Sequence, residues 1–192
     1  RGDGRLLSAE KFAKVTWAER VDLATGRPVV AANAFYEQGE VQLFPSFEGA
    51  HNWFPMAFSP RTGLVYLPVT EMGASYSQKG IDPSRWTPIP HSVQFAGIAS
   101  GDGDPPADSA RSSLTAWDPV RARPAWRIET PGAHNSGTLA TAGDLVFQGQ
   151  ADGHIHAYAA GDGRRLWTFD AATAVLGTPI TFSVDGHQYV AM

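Results

Sequence analysis

A chain of 192 residues that is 43% hydrophobic and 11% aromatic carries enough apolar side chain for a sizeable globular core. Its net charge of −4, with 18% charged residues and no Lys/Arg cluster longer than two, lacks the electrostatic footprint of a nucleic-acid binder. Zero cysteines exclude disulfides, thiolate zinc sites and thiol catalysis, while leaving the redox compartment open.

In chain order, the opening RGDGRLLSAE carries no apolar h-region of a secretory signal, and no later run approaches the roughly 18 apolar residues of a spanning helix. From Ser8, SAEKFAKVTWAERV starts with a residue suited to an N-cap but lacks an apolar stripe of helical period, so no helix is expected there. GAHNWFPMAF, 49 to 58, sets His51, Asn52 and Trp53 before an apolar run closed by Pro60 and Gly63. A first strand is predicted at 64–69. The stretch from Glu71 reads as an excursion, with a strand at 92–98, and 99–112 reads as a solvated loop. Further strands are predicted at 113–118, 124–129, 138–142, 145–150, 154–160, 165–170, 179–184 and 188–192. The turns at Arg61-Thr62-Gly63, Ala142-Gly143-Asp144, Ala151-Asp152-Gly153, Gly161-Asp162-Gly163 and Val184-Asp185-Gly186 each hold a residue that tolerates positive φ.

An internal repeat specifies the architecture. TAWDPVRARPAWRIE and HAYAAGDGRRLWTFD align without a gap, so that Trp117 and Tyr158, Trp126 and Trp167, and Asp144 and Asp185 are each 41 positions apart. Four strands per period of this length make a β-propeller blade. RGDGRLLS at the start matches AGDGRRLW at 160–167, which places the start at the turn before a blade's last strand. GTPITFSVDGHQYVAM at the other end reads as the first two strands of another blade. An interrupted stack leaves open sheet edges, through which self-association is expected, and implies a piece of a longer chain.

Several residues could carry chemistry. Asn52 offers an amide donor and acceptor and Trp53 a flat face with one N–H, a pair suited to a planar polar ligand such as a quinone or sugar. The alternative is that Asn52 makes a turn and Trp53 fills the core. His154 and His156 share one strand face at a spacing that ligates a metal only if a third ligand converges, and a solvated outer strand is the simpler expectation. His134-Asn135 lies where a blade's first strand begins, a position at or near the propeller axis. GDGD at 101–104 with Asp108 lacks the frame of a calcium loop, and Arg1-Gly2-Asp3 is explained by the turn repeat. No G-x-S-x-G, Walker loop or H-E-x-x-H occurs, so no catalytic residue and no metal ligand is assigned.

The segments LLSAEKF…VTWAERVDLATGRPV, GAHNWFPMAFSPRTGLVYLP, LTAWDP…PAWRIETPGAHNSGTLATAGDLVFQGQADGHIHAY and RRLWTFDAATAVLGTPITFSVDGHQYVAM together resemble the PQQ-dependent (quinoprotein) alcohol dehydrogenases. The resemblance implies an all-β fold in which residues 1–192 form about half of an eight-bladed propeller, with blades locked by a Trp motif carried here by Trp126 and Trp167. It implies periplasmic oxidation of a primary alcohol to an aldehyde with PQQ and calcium, electrons leaving to a cytochrome c. Asn52, with Trp53 beside it, matches the family's PQQ contact, and TAVLG at 173–177 assigns Val175 to the cofactor's edge. Where many members read WNGG this chain reads HNSG, so that His134 replaces a Trp that contacts PQQ. The family's catalytic Asp, calcium ligands, vicinal disulfide and stacking Trp belong to family sequence preceding residue 1, so the chain is expected to be inactive alone. A non-catalytic PQQ-like repeat propeller that binds proteins is the rival reading. A carbohydrate-active propeller would need a carboxylate pair that the sequence does not present.

Overall fold

The computed structural model describes residues 3–80, 82, 84–85, 99–100 and 109–192. Among these residues fifteen strands are formed: β1 (Ala18–Val21), β2 (Pro28–Val30), β3 (Val41–Leu43), β4 (Ala57–Ser59), β5 (Leu64–Glu71), β6 (Ala74–Ser77), β7 (Ala99–Ser100) and β8 (Arg111–Asp118), then β9 (Arg123–Thr130), β10 (Thr138–Ala140), β11 (Leu145–Gly149), β12 (His154–Ala159), β13 (Arg165–Asp170), β14 (Ile180–Val184) and β15 (His187–Ala191). No helix occurs among the described residues. Two compact units result, one of residues 1–47 and 72–109, the other of 48–71 and 110–192.

The first unit holds a β1-β2 hairpin and a β3-β6-β7 sheet. Two expectations are corrected here. The excursion from Glu71 contributes β6, whose Tyr76 pairs with Val41 of β3. The loop predicted over 99–112 holds β7 at one end and the start of β8 at the other, because both segments find antiparallel partners that local composition does not reveal. The strand predicted at 92–98 lies outside the described residues. Leu6 and Leu7, expected on the last strand of a blade, lie outside any strand, and Leu7 is exposed.

The second unit carries the repeat. Its two four-stranded antiparallel sheets run β4-β5-β8-β9 and β10-β11-β12-β13, followed by the β14-β15 hairpin. Both copies of the aligned segment bend at the same place, since the register shifts between Ala116 and Trp117 in one and between Ala157 and Tyr158 in the other. An extra residue at that point strengthens the twist and re-aims the aromatic. All five predicted turns contain a left-handed residue: Gly63, Asp144, Gly153, Gly163, and Asp185 with Gly186. Asp144, a residue type whose short polar side chain tolerates this conformation, accepts two bonds from the Arg61 guanidinium at 2.8 and 3.0 Å.

Between these two sheets lies the core. Leu64, Tyr66, Leu114, Ala116, Val146, Tyr158 and Ala160 form one buried cluster, with Trp126 and Ile128 packed against it. Each large apolar side chain removed from water there contributes about 1.5–3 kcal/mol. β8 is buried along most of its length because it pairs on both sides, and β9 alternates between exposed and half-buried positions as an edge strand does.

Candidate functional site

Gly49 opens the segment with φ +77°, and the chain then returns against β5, with Thr70 N–H donating to Ala50 O at 2.9 Å. His51 Nδ1 lies 3.0 Å from Pro68 O. A carbonyl only accepts, so Nδ1 carries a proton in this contact. Asn52 Nδ2 donates to Glu48 O at 2.9 Å, and its Oδ1 has no partner among the described residues. Both Asn52 and Trp53 are exposed, Trp53 to 68%, so the core-filling reading of Trp53 is overturned. Its ring leans on Phe54, which in turn sits beside the imidazole of His134, and His134 Nε2 lies 3.4 Å from Glu48 Oε2.

A second Gly-Ala-His-Asn at 132–135 repeats residues 49–52, and Gly132 repeats the left-handed turn with φ +67°. This tetrapeptide repeat is the signal that reading for single motifs missed. In the second copy the Asn is buried. Asn135 Nδ2 donates to Ser112 Oγ, Thr130 Oγ1 and Pro131 O at 2.8–3.1 Å, while its Oδ1 accepts from Ala151 N–H at 2.9 Å. The bond to Pro131 O, four residues back, matches the one from Asn52 to Glu48 O. Asn135 is therefore a structural clamp, and Asn52 is the same device with its acceptor left open.

Val175 is half-buried and fixed by two contacts. Its N–H donates to Gln150 O at 3.0 Å, and its side chain lies so close to Gly149 that a Cβ there would come within 2.5 Å of Val175 Cγ1. Only glycine admits this approach. Asn52, Trp53 and His134 border one small cavity together with His51, Asn135 and Gln148, and Val175 is not part of its lining. The cavity volume is about 20 Å³, room for one water rather than a ring system. Gln148 faces it fully buried, its Nε2 donating to Ser136 O at 3.3 Å and its Oε1 without a protein partner. A planar cofactor held by Asn52 and Trp53 would therefore lie on their exposed side.

The histidine pair on β12 is not a solvated outer strand. β12 lies between β11 and β13, and His156 is buried, its Nδ1 2.9 Å from Thr168 Oγ1. His154 stacks parallel to it at 5.7 Å and is paired with Asp152 at 3.1 Å. Burial, followed by the neighbouring Arg165 charge, holds the His156 imidazole below its usual range. Among the described residues no three His, Asp or Glu side chains converge to hold a metal ion. The GDGD segment and Asp108 lie outside the described residues.

Paired four-stranded antiparallel sheets, a 41-residue blade repeat and an indole docked on the next blade's turn define a segment of a quinoprotein-type β-propeller. Residues 107–190 match the family described as PQQ: glucose/ethanol/alcohol dehydrogenase, beta-propeller domain. The chain is 47% identical over 192 residues to quinohemoprotein alcohol dehydrogenase ADH IIB of Pseudomonas putida, covering 100% of itself and 27% of that protein. It is 36% identical over 203 residues to the 1-butanol dehydrogenase (cytochrome c) of Thauera butanivorans, covering 28% of it. The crystal structure of the quinohemoprotein alcohol dehydrogenase from Comamonas testosteroni superposes with a TM-score of 0.84 at 38% identity, over 96% of this chain and 28% of that one. Over its whole length the chain matches the PQQ quinoprotein alcohol dehydrogenases as a segment of their propeller, and it spans about a quarter of the length of the relatives it matches.

Proposed function

We propose that the chain supplies one wall of the PQQ site of a periplasmic dehydrogenase that oxidises a primary alcohol to an aldehyde and passes the electrons to a cytochrome c. The observation that carries this reading is the contrast between the two Gly-Ala-His-Asn copies. Asn135 spends both ends of its amide on the protein, whereas Asn52 leaves Oδ1 unpaired at the surface beside the exposed face of Trp53. An amide oxygen and an indole fit the polar edge and flat face of a quinone cofactor. When bound, PQQ supplies the electron-accepting carbonyl that alcohol oxidation needs.

The chain's own residues have positioning roles. The Asn52 side chain is oriented by its bond to Glu48 O, and Phe54 props the Trp53 ring from beneath. His134, held near Glu48, supplies an imidazole on the same rim where other members carry a Trp. Val175 brings a small apolar edge, fixed by Gly149. No calcium ligand set is assigned to these residues. The primary-alcohol substrate and cytochrome acceptor rest on the name of the Thauera relative, and the periplasm on the family resemblance.

Titrating the 192-residue chain with PQQ while following quenching of tryptophan emission tests the reading. Saturable quenching is expected, and Asn52→Ala should weaken binding about tenfold, ~1.4 kcal/mol, the scale of one hydrogen bond. Equal affinity in both proteins would remove Asn52 from the site. Absence of binding altogether would favour the protein-binding scaffold.

A further inference from the structure

The small cavity beside the 49–54 segment lies wholly within the second unit, bordered also by Thr70 of β5, Ser113 of β8 and Gln148 of β11, a strand paired on both sides. Donors on its border already have protein acceptors. Gln148 Nε2 donates to Ser136 O at 3.3 Å, Thr70 Oγ1 to Ala133 O at 2.9 Å, His51 Nδ1 to Pro68 O at 3.0 Å and Asn52 Nδ2 to Glu48 O at 2.9 Å. Asn135 Nδ2 has three acceptors within 3.1 Å.

The acceptors are differently placed. Gln148 Oε1 belongs to a fully buried side chain and has no protein partner among the described residues, and a buried acceptor left without a donor is costly. Glu48 brings a carboxylate to the same cavity, its buried Oε2 3.4 Å from His134 Nε2, and a carboxylate accepts several bonds at once. An occupant must therefore donate. The volume of about 20 Å³ exceeds the roughly 10–15 Å³ that one water needs.

We propose that the cavity binds one ordered water, which donates to Gln148 Oε1 and to the Glu48 carboxylate. The water ties the buried strand β11 to Glu48, and the Glu48 carbonyl in turn orients the Asn52 amide. Gln148 is thereby a positioning residue for Asn52. That role rests on Asn52 being the PQQ contact, whereas the water site does not.

Oxygen-17 relaxation dispersion of the 192-residue chain counts waters held for longer than the molecule takes to tumble. Gln148→Met keeps the length of the side chain and removes its oxygen, so it is expected to hold about one such water fewer than wild type. Gln148→Glu, kept neutral by burial, returns an oxygen to the same place and should restore the count. Q148M should bind PQQ about threefold more weakly than wild type, and Q148E as wild type does, a rescue that a packing role alone would not give. Equal water counts in wild type and Q148M overturn the site. So does a wild-type signal that disappears when sodium or potassium replaces a large organic cation in the buffer, which would make the occupant a metal ion. That measurement needs wild type alone and decides the question even if Q148M does not fold. If no form binds PQQ while Q148M still loses its water, the PQQ reading falls and the water site stands. If wild type binds PQQ and Q148M loses the water at unchanged affinity, the positioning role falls.

Discussion

Asn52 and Asn135 occupy the same place in two copies of one tetrapeptide, and the difference between them is what each oxygen meets. Asn135 Oδ1 takes the Ala151 N–H, and its amide hydrogens serve Ser112, Thr130 and Pro131. Truncating Asn135 to Ala leaves the part-buried Ala151 N–H without its acceptor and removes a donor from Ser112 Oγ, which keeps its bonds to Thr130 and Gly132, and should lower unfolding free energy by roughly 1–3 kcal/mol. The same change at the exposed Asn52 should alter stability by no more than about 0.5 kcal/mol. Urea denaturation of the two variants measures both, and equal losses would mean that the repeat does not separate a clamp from a contact. The sequence carried this pair openly, in the repeated GAHN. What it did not carry is the burial of one copy and the exposure of the other, which depends on Ser112 and Ala151, far away along the chain. The core-filling alternative for Trp53 fails on its exposure, since an indole beside Phe and Pro looks like core until the neighbouring strands are placed.

At the scale of the element, the long strands were legible and most of the short ones were not. β5 and β8 to β15 lie within two residues of their predicted limits at each end, because each combines β-branched or aromatic residues with a turn that demands positive φ. β2, β3 and β4 have three residues each, too few for an alternation to register, and β6 depends wholly on pairing with β3. Burial of β12 between two strands has a pH consequence. His156 is neutral in the folded chain at pH values where an unfolded histidine, near 6.5, already takes a proton, since burial and the Arg165 charge hold its value down against the opposing Asp152 charge. More protons are bound by the unfolded state in that window, so stability falls as pH drops below about 6.5 and is unaffected by this group above it. His156→Gln should flatten that part of the curve. Denaturation midpoints measured across mildly acidic pH would show it, and an unchanged slope in the variant would assign the acid sensitivity elsewhere.

For the whole molecule, the matched relatives are about four times as long, and the residues described here contain no converging metal site. The family resemblance assigns the proton-taking residue to sequence outside these 192 residues, so they are expected to bind the cofactor and not turn it over. Mixed with PQQ, calcium, ethanol and a dye acceptor, the chain is expected to show no dye reduction above a PQQ-only control, and turnover above that control would refute the assignment of the proton-taking residue to a part of the family sequence outside these 192 residues. The docked indole described above has one more consequence. Trp126 is packed among core side chains and bonded to a carbonyl, whereas Trp53 and Trp167 are 68% and 49% exposed. Their emission should therefore separate by wavelength, the first toward the blue and the other two toward the red, and by access to a dissolved quencher. Cofactor beside Trp53 would dim the red-shifted emission and leave that of Trp126 unchanged, so the molecule carries its own optical gauge of whether that surface is occupied.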